Sequence, residues 1–134
     1  MTAEQVAQYL ATGTVVGGIY ALIALGFVIV FGVTRVVNFA QGEFVMLGAL
    51  AMATLSARGA SVPAAFAVSV VSVAAFGALL YRGAVQPLAR APGLAVLILT
   101  IGASIAIRGI ALIVWGTDPL AGPGFAAGPA GPVA

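Results

Sequence analysis

The sequence contains no cysteine, no histidine and no lysine, and these absences exclude several kinds of chemistry. Without cysteine there is no disulfide and no thiolate nucleophile, and without histidine no imidazole base can activate a serine or threonine. Zinc sites are built largely from the same two residue types. We therefore expect no catalytic residue, no metal site and no cofactor bound by this chain.

Charge is also scarce. Only 6% of the 134 residues are charged and 63% are hydrophobic, whereas a soluble domain is about a quarter charged and about half apolar. This composition excludes a soluble monomer, and it excludes disorder over most of the chain. The five arginines form no basic patch, so nucleic-acid binding is not expected. An integral protein of the lipid bilayer remains.

The few charges divide the chain into apolar runs of the length that crosses a membrane, roughly 20 residues. The runs are residues 14–33, 36–57, 59–81 and 94–115. They are apolar all round, as expected for membrane helices, and show no alternating pattern of a barrel. The sequence predicts an all-α polytopic membrane protein with about four transmembrane helices. The second has a polar start, so we expect it to be short, tilted, re-entrant or broken.

Two further segments are polar or rich in glycine and proline. Residues 82–92 form a polar hinge before the last run, and residues 118–134 hold four of the seven prolines. Because proline cannot continue a helix, we interpret 118–134 as an extended loop or disordered end. Residues 1–117 are then the transmembrane part.

The arginines also predict an orientation. With the N-terminus outside, Arg35, Arg82 and Arg90 face the cytoplasm and only Arg58 faces out. The positive-inside rule favours this arrangement, by a margin of two arginines, provided that the second run crosses fully. We therefore expect an extracytoplasmic N-terminus.

Small residues recur at helical spacing in the first and last runs. Such positions let membrane helices approach closely, because lipid provides no hydrophobic drive for helix association. Ordinary helix packing is the simplest interpretation, and a flexible point that lines a path is the alternative. The candidates are Gly13, Gly17, Gly18, Gly26, Gly102 and Ala106.

The segment from Asn38 to Glu43 places three strongly polar side chains between two apolar blocks. Helical spacing would put Asn38 and Gln41 on one face and Glu43 on nearly the opposite one, unless Gly42 breaks the helix. An ionisable residue inside a membrane is a functional candidate, because burying a charge in hydrocarbon is costly. The segment is therefore a polar lining or a hinge, or else Glu43 favours the positive end of its helix dipole at the interface.

Arg108 is the second charge inside an apolar run. The twelve leucine, isoleucine and valine residues of 94–115 contribute roughly −4 to −7 kcal/mol to insertion, against about +3 kcal/mol for a central arginine. The helix therefore tolerates Arg108, which either snorkels to the outer interface or pairs with a carboxylate of another helix or subunit. We expect Glu43 to be a poor partner if it lies at the cytoplasmic end of its helix.

Several of these segments resemble one family. The run GGIYALIALG (17–26), VNFAQGE (37–43) and MLGA (46–49) are similar to the start of H-type permease subunits of branched-chain amino acid ABC importers, the Liv system. QPL (86–88) and LILTIGAS (97–104) resemble that family's following hinge and helix. Gln41 stands where the family usually has histidine, and Arg108 where an uncharged polar residue such as glutamine is expected.

The resemblance, which extends to about Pro119, implies a transport subunit and not an enzyme, in a bacterial inner membrane. It implies a second, M-type permease subunit, two cytoplasmic ATPase subunits that bind the ATP, and an extracytoplasmic substrate-binding protein. Asn38, Gln41, Gly42, Glu43 and Arg108 are the candidates for a substrate path or hinge.

The resemblance covers only the N-terminal part of such a permease. We expect a truncated gene product or a piece of a longer sequence, which inserts into the membrane but does not complete an importer alone. The alternatives are a urea or short-amide importer permease, a self-contained four-span exporter and a structural membrane module. Small exporters need a carboxylate deep in the first span, which is missing here, and a structural module leaves residues 38–43 unexplained.

Overall fold

The computed structural model describes residues 2–88, 90–118 and 120, and within these ranges the chain forms helices joined by short connections, with no strand. The long helices are α1 (Ala3–Thr34), α2 (Gln41–Ala57), α3 (Val62–Leu80) and α4 (Gly93–Trp115). The predicted all-α polytopic fold with a short second helix is confirmed. The predicted loop at 118–134 lies outside the described residues, except for Asp118 and Leu120.

Helix α1 begins well before the apolar run that predicted it. A capping box starts it: the backbone N–H of Gln5 donates to the Thr2 hydroxyl, and the N–H of Thr2 donates to the Gln5 side chain. These bonds satisfy donors that the first turn would leave unpaired. Arg35 ends the helix in the left-handed conformation, with φ of 56°. The 32 residues span about 48 Å, more than the hydrocarbon thickness requires.

Helix α2 is the short one. Its 17 residues extend over about 25 Å, less than the roughly 30 Å of a hydrocarbon core. Among the described helices, α1, α4 and the segment Val62–Leu88 are long and apolar enough to cross a membrane. The protein is therefore a multi-pass membrane protein. Of the four long helices described, α2 is the one that is too short to cross the hydrocarbon core.

The predicted hinge at residues 82–92 is helical in its first half. A π-helical turn, Tyr81–Val85, follows α3 directly, and a 3-10 turn, Gln86–Leu88, follows it. The N–H of Gln86 donates to the carbonyl of Tyr81, five residues back. Pro87 has no N–H to continue the ladder, so the helical segment ends with this turn at Leu88 and the chain then leads to α4.

Helix α2 begins inside the bundle. The Gln41 side chain reaches the backbone of Gly26, where a Cβ added to the glycine would lie 2.9 Å from the Gln41 amide nitrogen. Gly26 is eight residues before the end of α1, so α2 starts about 12 Å short of that end. The connection at residues 35–40 therefore turns back between the helices.

Contacts with α4 also show that α2 begins inside the bundle. Glu43, in the first turn of α2, contacts Ser104 at the middle of α4 and Arg108 one turn further on. Further along, the Trp115 indole N–H donates to the Thr54 hydroxyl over 2.8 Å. Both helices therefore run in the same direction, and α2 begins opposite the middle of α4.

The interior of the bundle is built from small side chains. Buried positions include Ala53 on α2, Ala65 and Ser69 on α3, and Thr100 and Ala111 on α4. Small residues allow close helix approach, which is the main source of packing energy where lipid is as apolar as leucine. Helix α2 packs mainly on α3, where Phe44 meets Phe76 edge to face.

The four arginines other than Arg108 separate into two groups. Arg35 follows α1, Arg82 follows α3 and Arg90 precedes α4. The ends of α1 and α3 converge on one cavity, so these arginines lie at one end of the bundle. Arg58 lies at the opposite end, after α2. The grouping is the one that the sequence predicted.

Candidate functional site

The central polar feature is a carboxylate of α2 held by two side chains of α4. Glu43 is 4% exposed, and its Oε1 accepts hydrogen bonds from the Ser104 hydroxyl over 2.9 Å and from the Arg108 guanidinium over 2.6 Å. Charge-assisted bonds of this length are about twice as strong as neutral ones. Arg108 thus balances the charge of Glu43 within the bundle, and the ion pair connects α2 to α4 at mid-depth.

The expectation that Glu43 is a poor partner for Arg108 is wrong. It assumed that α2 starts at the end of the bundle, whereas residues 35–40 carry the chain back inside before α2 begins. Arg108 therefore does not act only as a snorkelling residue: it pairs with a carboxylate of another helix, although 66% of its side chain stays exposed. Glu43 does lie in the first turn of α2, but its side chain caps no backbone group there.

Asn38 organises the turn that leads into α2. Its Oδ1 accepts the N–H of Ala40 over 3.0 Å, and its carbonyl accepts the N–H of Gln41 over 3.3 Å. Ala40 is completely buried. Non-helical backbone at membrane depth is tolerated only where protein covers it or where it lines a cavity. The Asn38 side chain therefore satisfies a backbone donor that could not be left free.

Gln41 and Glu43 contact different helices. Gln41 faces Gly26 of α1 and Glu43 faces Ser104 of α4. Asn38 is not helical, because α2 starts only at Gln41. Helical spacing therefore does not explain why Asn38 and Gln41 share a side, but both still line the same cavity.

The small residues singled out in the sequence have different surroundings. Of these, Gly26 is the glycine that another helix approaches closely. A Cβ at the other four predicted packing glycines, or at Gly42, would meet nothing within 4 Å, and Ala106 is exposed. The four glycines are Gly13, Gly17, Gly18 and Gly102. That these glycines pack against other helices stays a prediction, and the helices concerned would lie outside α1 to α4.

Sequence reasoning missed Ser104 and the Thr54–Trp115 contact. Ser104 and Arg108 are four residues apart and therefore share one face of α4. That spacing could have marked the pair as a polar stripe opposite a carboxylate. Nothing in the sequence relates Thr54 to Trp115, because their contact depends on the offset between α2 and α4.

The fold and site define a class of protein. Apolar spans, a helix that begins within the bundle and a protein-covered polar turn at that point characterise multi-pass membrane proteins with re-entrant or broken helices, a feature that transporters use. The match to a family model is more specific. Residues 9–131 match the model described as branched-chain amino acid transport system / permease component. The chain belongs to this family.

Curated relatives agree with the family model. The chain is 39% identical over 115 residues to the high-affinity branched-chain amino acid transport system permease protein BraD of Pseudomonas aeruginosa, covering 79% of this chain and 38% of the relative. It is 32% identical over 125 residues to the permease protein LivH of Escherichia coli, covering 87% of this chain and 41% of the relative. The chain spans about two fifths of the length of these relatives. No solved structure matches it significantly.

Proposed function

We propose that this chain forms part of the translocation pathway of an ABC importer permease for branched-chain amino acids. The observation that carries the proposal is the polar segment from Asn38 to Glu43, which re-enters a bundle belonging to this permease family. In such a position the amide groups of Asn38 and Gln41, which line a cavity, are available to a solute crossing the apolar layer. A urea or short-amide substrate is not favoured, since the curated relatives are named for branched-chain amino acids.

The chain is proposed to act with other subunits and to carry out no chemistry itself. Transport would be powered by two cytoplasmic ATPase subunits that bind the ATP, with a second permease subunit beside this one and an extracytoplasmic substrate-binding protein. The absence of histidine, cysteine and lysine leaves this sequence without the lysine of a Walker A motif and without the usual bases. The chain would therefore contribute part of the translocation path for the substrate.

The orientation is part of the proposal. The end that carries Arg35, Arg82 and Arg90 would face the cytoplasm of a bacterial inner membrane, and the N-terminus would be outside.

A chimeric permease tests the function. Residues 9–117 of this chain replace the matching segment of the Pseudomonas aeruginosa relative, and uptake of radiolabelled leucine is measured in cells that lack their own system. We expect leucine uptake to be restored, while uptake of labelled urea stays at background. A chimera that inserts and assembles with its ATPases but carries urea and no leucine would contradict the proposal.

A Glu43→Gln variant of the same chimera tests whether the carboxylate that ties α2 to α4 is needed for transport. We expect uptake to fall while insertion persists. Unchanged uptake would leave Glu43 with no part in the path.

A further inference from the structure

A cavity of about 340 Å³ lies beside the re-entrant turn. It is bordered by the end of α1, the turn and start of α2, the end of α3 with its π-helical turn, and the middle of α4. Its volume falls in the range of small-molecule pockets, roughly 300–1,000 Å³. Single π-helical turns occur frequently at functional sites. The cavity therefore has the size and the surroundings of a binding site.

The lining of the cavity is mostly apolar and includes a few polar side chains. Asn38 and Gln41 contribute amide groups, Thr34, Tyr81 and Thr100 contribute hydroxyl groups, and residues such as Val73 and Leu99 form much of the rest. Asn38 uses its Oδ1 in the turn, whereas its NH₂ group and the whole Gln41 amide make no hydrogen bond to other described parts of the chain. These free amide groups can both donate and accept.

No charged side chain lines the cavity among the described residues. A lone ammonium or carboxylate would be desolvated there without a counter-ion, which is costly. In a zwitterionic amino acid the two charges lie next to each other and partly balance, and hydrogen bonds from the Asn38 and Gln41 amides must compensate for the rest of the lost hydration. A compact branched side chain then matches the apolar part of the lining.

We propose that this cavity holds the transported amino acid, with its head group at the Asn38 and Gln41 amides and its side chain between α3 and α4. The inference rests on the proposed function, and it goes further by proposing that this cavity selects the substrate by the size of its side chain. Gly77 of α3 and Ala103 of α4 are then the positions that limit the side chain. Both line the cavity and both are small.

Two substitutions reduce the cavity to different extents. Ala103→Leu adds three carbon atoms to a side chain that lines the cavity. Gly77→Ala adds a single methyl group, which would lie 3.7 Å from the Phe44 ring, an ordinary contact distance; this variant should therefore fold normally. Ala78→Leu is the matched control, because Ala78 adjoins Gly77 but is exposed and does not line the cavity.

The experiment measures uptake of labelled leucine and valine by the complete permease that carries this segment, assembled with its partner subunits in proteoliposomes. The two substrates differ by one methylene, and a methylene in an apolar pocket changes discrimination by about tenfold or more. We expect Ala103→Leu to lower the leucine-to-valine rate ratio by about tenfold. Gly77→Ala should lower it less, and Ala78→Leu should leave it unchanged.

A leucine-to-valine ratio that stays constant in both cavity variants would overturn the inference, whether the absolute rates fall or not, because a purely structural role affects both substrates alike. If the unaltered importer carried neither amino acid, the proposed function itself would fail, which is a different result. Pull-down of the ATPase subunits by each variant measures assembly separately from selectivity.

Discussion

At the scale of single residues, the pairing of Glu43 with Arg108 turns a costly charge into an interhelical contact. The Glu43 side chain is 5% exposed and the Arg108 side chain is 66% exposed, so losing one partner or the other has different consequences for stability. Removing the arginine would leave a buried carboxylate with only the Ser104 hydroxyl, whereas removing the carboxylate would leave a guanidinium that can still reach the interface. The arginine substitution should therefore be the more damaging.

A double-substitution cycle tests this asymmetry. Arg108→Gln should destabilise the protein by about 1–3 kcal/mol, the cost of an unsatisfied buried acceptor, and Glu43→Gln should destabilise it less. The pair Glu43→Gln with Arg108→Gln should recover part of the loss, since two neutral amides can hydrogen-bond each other. Thermal unfolding in detergent micelles measures all three proteins.

Arg58→Gln is the control for that cycle, because Arg58 is exposed and forms no ion pair within the described residues. It should leave stability unchanged. Strictly additive effects of the two substitutions at the pair would show that Glu43 and Arg108 are energetically independent.

At the scale of the helical element, the starting depth of α2 depends on a close approach to α1. Gly26 has no side chain, so Gln41 can lie against the backbone of α1 at that point. The approach sets how far residues 35–40 return into the bundle, and it places Asn38 and Gln41 beside the cavity.

A pair of glycine substitutions on α1 tests the approach. Gly26→Leu should displace Gln41 and reduce both thermal stability and transport, because a larger side chain cannot share the space that the amide occupies. Gly32→Leu is the matched control, since a Cβ at Gly32 meets nothing within 4 Å. Equal behaviour of the two variants in thermal unfolding would argue against the close contact.

At the scale of the whole molecule, the distribution of arginines and the direction of the helices determine how the bundle sits in the membrane. Arg58 lies at one end and Arg90 at the other. The first half of α1 is exposed along its length, which gives lipid or neighbouring helices a long apolar surface to cover.

Cysteine labelling tests the orientation, and the natural sequence has no cysteine to interfere. In intact cells, a membrane-impermeant maleimide should label Glu4→Cys and Arg58→Cys but not Arg90→Cys. In inside-out vesicles the pattern should reverse. Labelling of position 90 in intact cells would contradict an extracytoplasmic N-terminus.

The sequence by itself determined the membrane environment, the helical class, the approximate spans and the family motifs. These follow from local properties. The composition shows that the chain lies in lipid, and the length of each apolar run predicts a membrane-spanning helix. It also singled out Glu43 and Arg108 as charges that need an explanation.

Only the tertiary structure decided that these two charges are partners and that Asn38 and Gln41 share a cavity. Both facts depend on the offset of α2 against α1 and α4, and that offset results from packing between residues far apart in the chain. The contact of Glu43 with Arg108 joins residues 65 positions apart, so neither helical period nor hydropathy carries information about it.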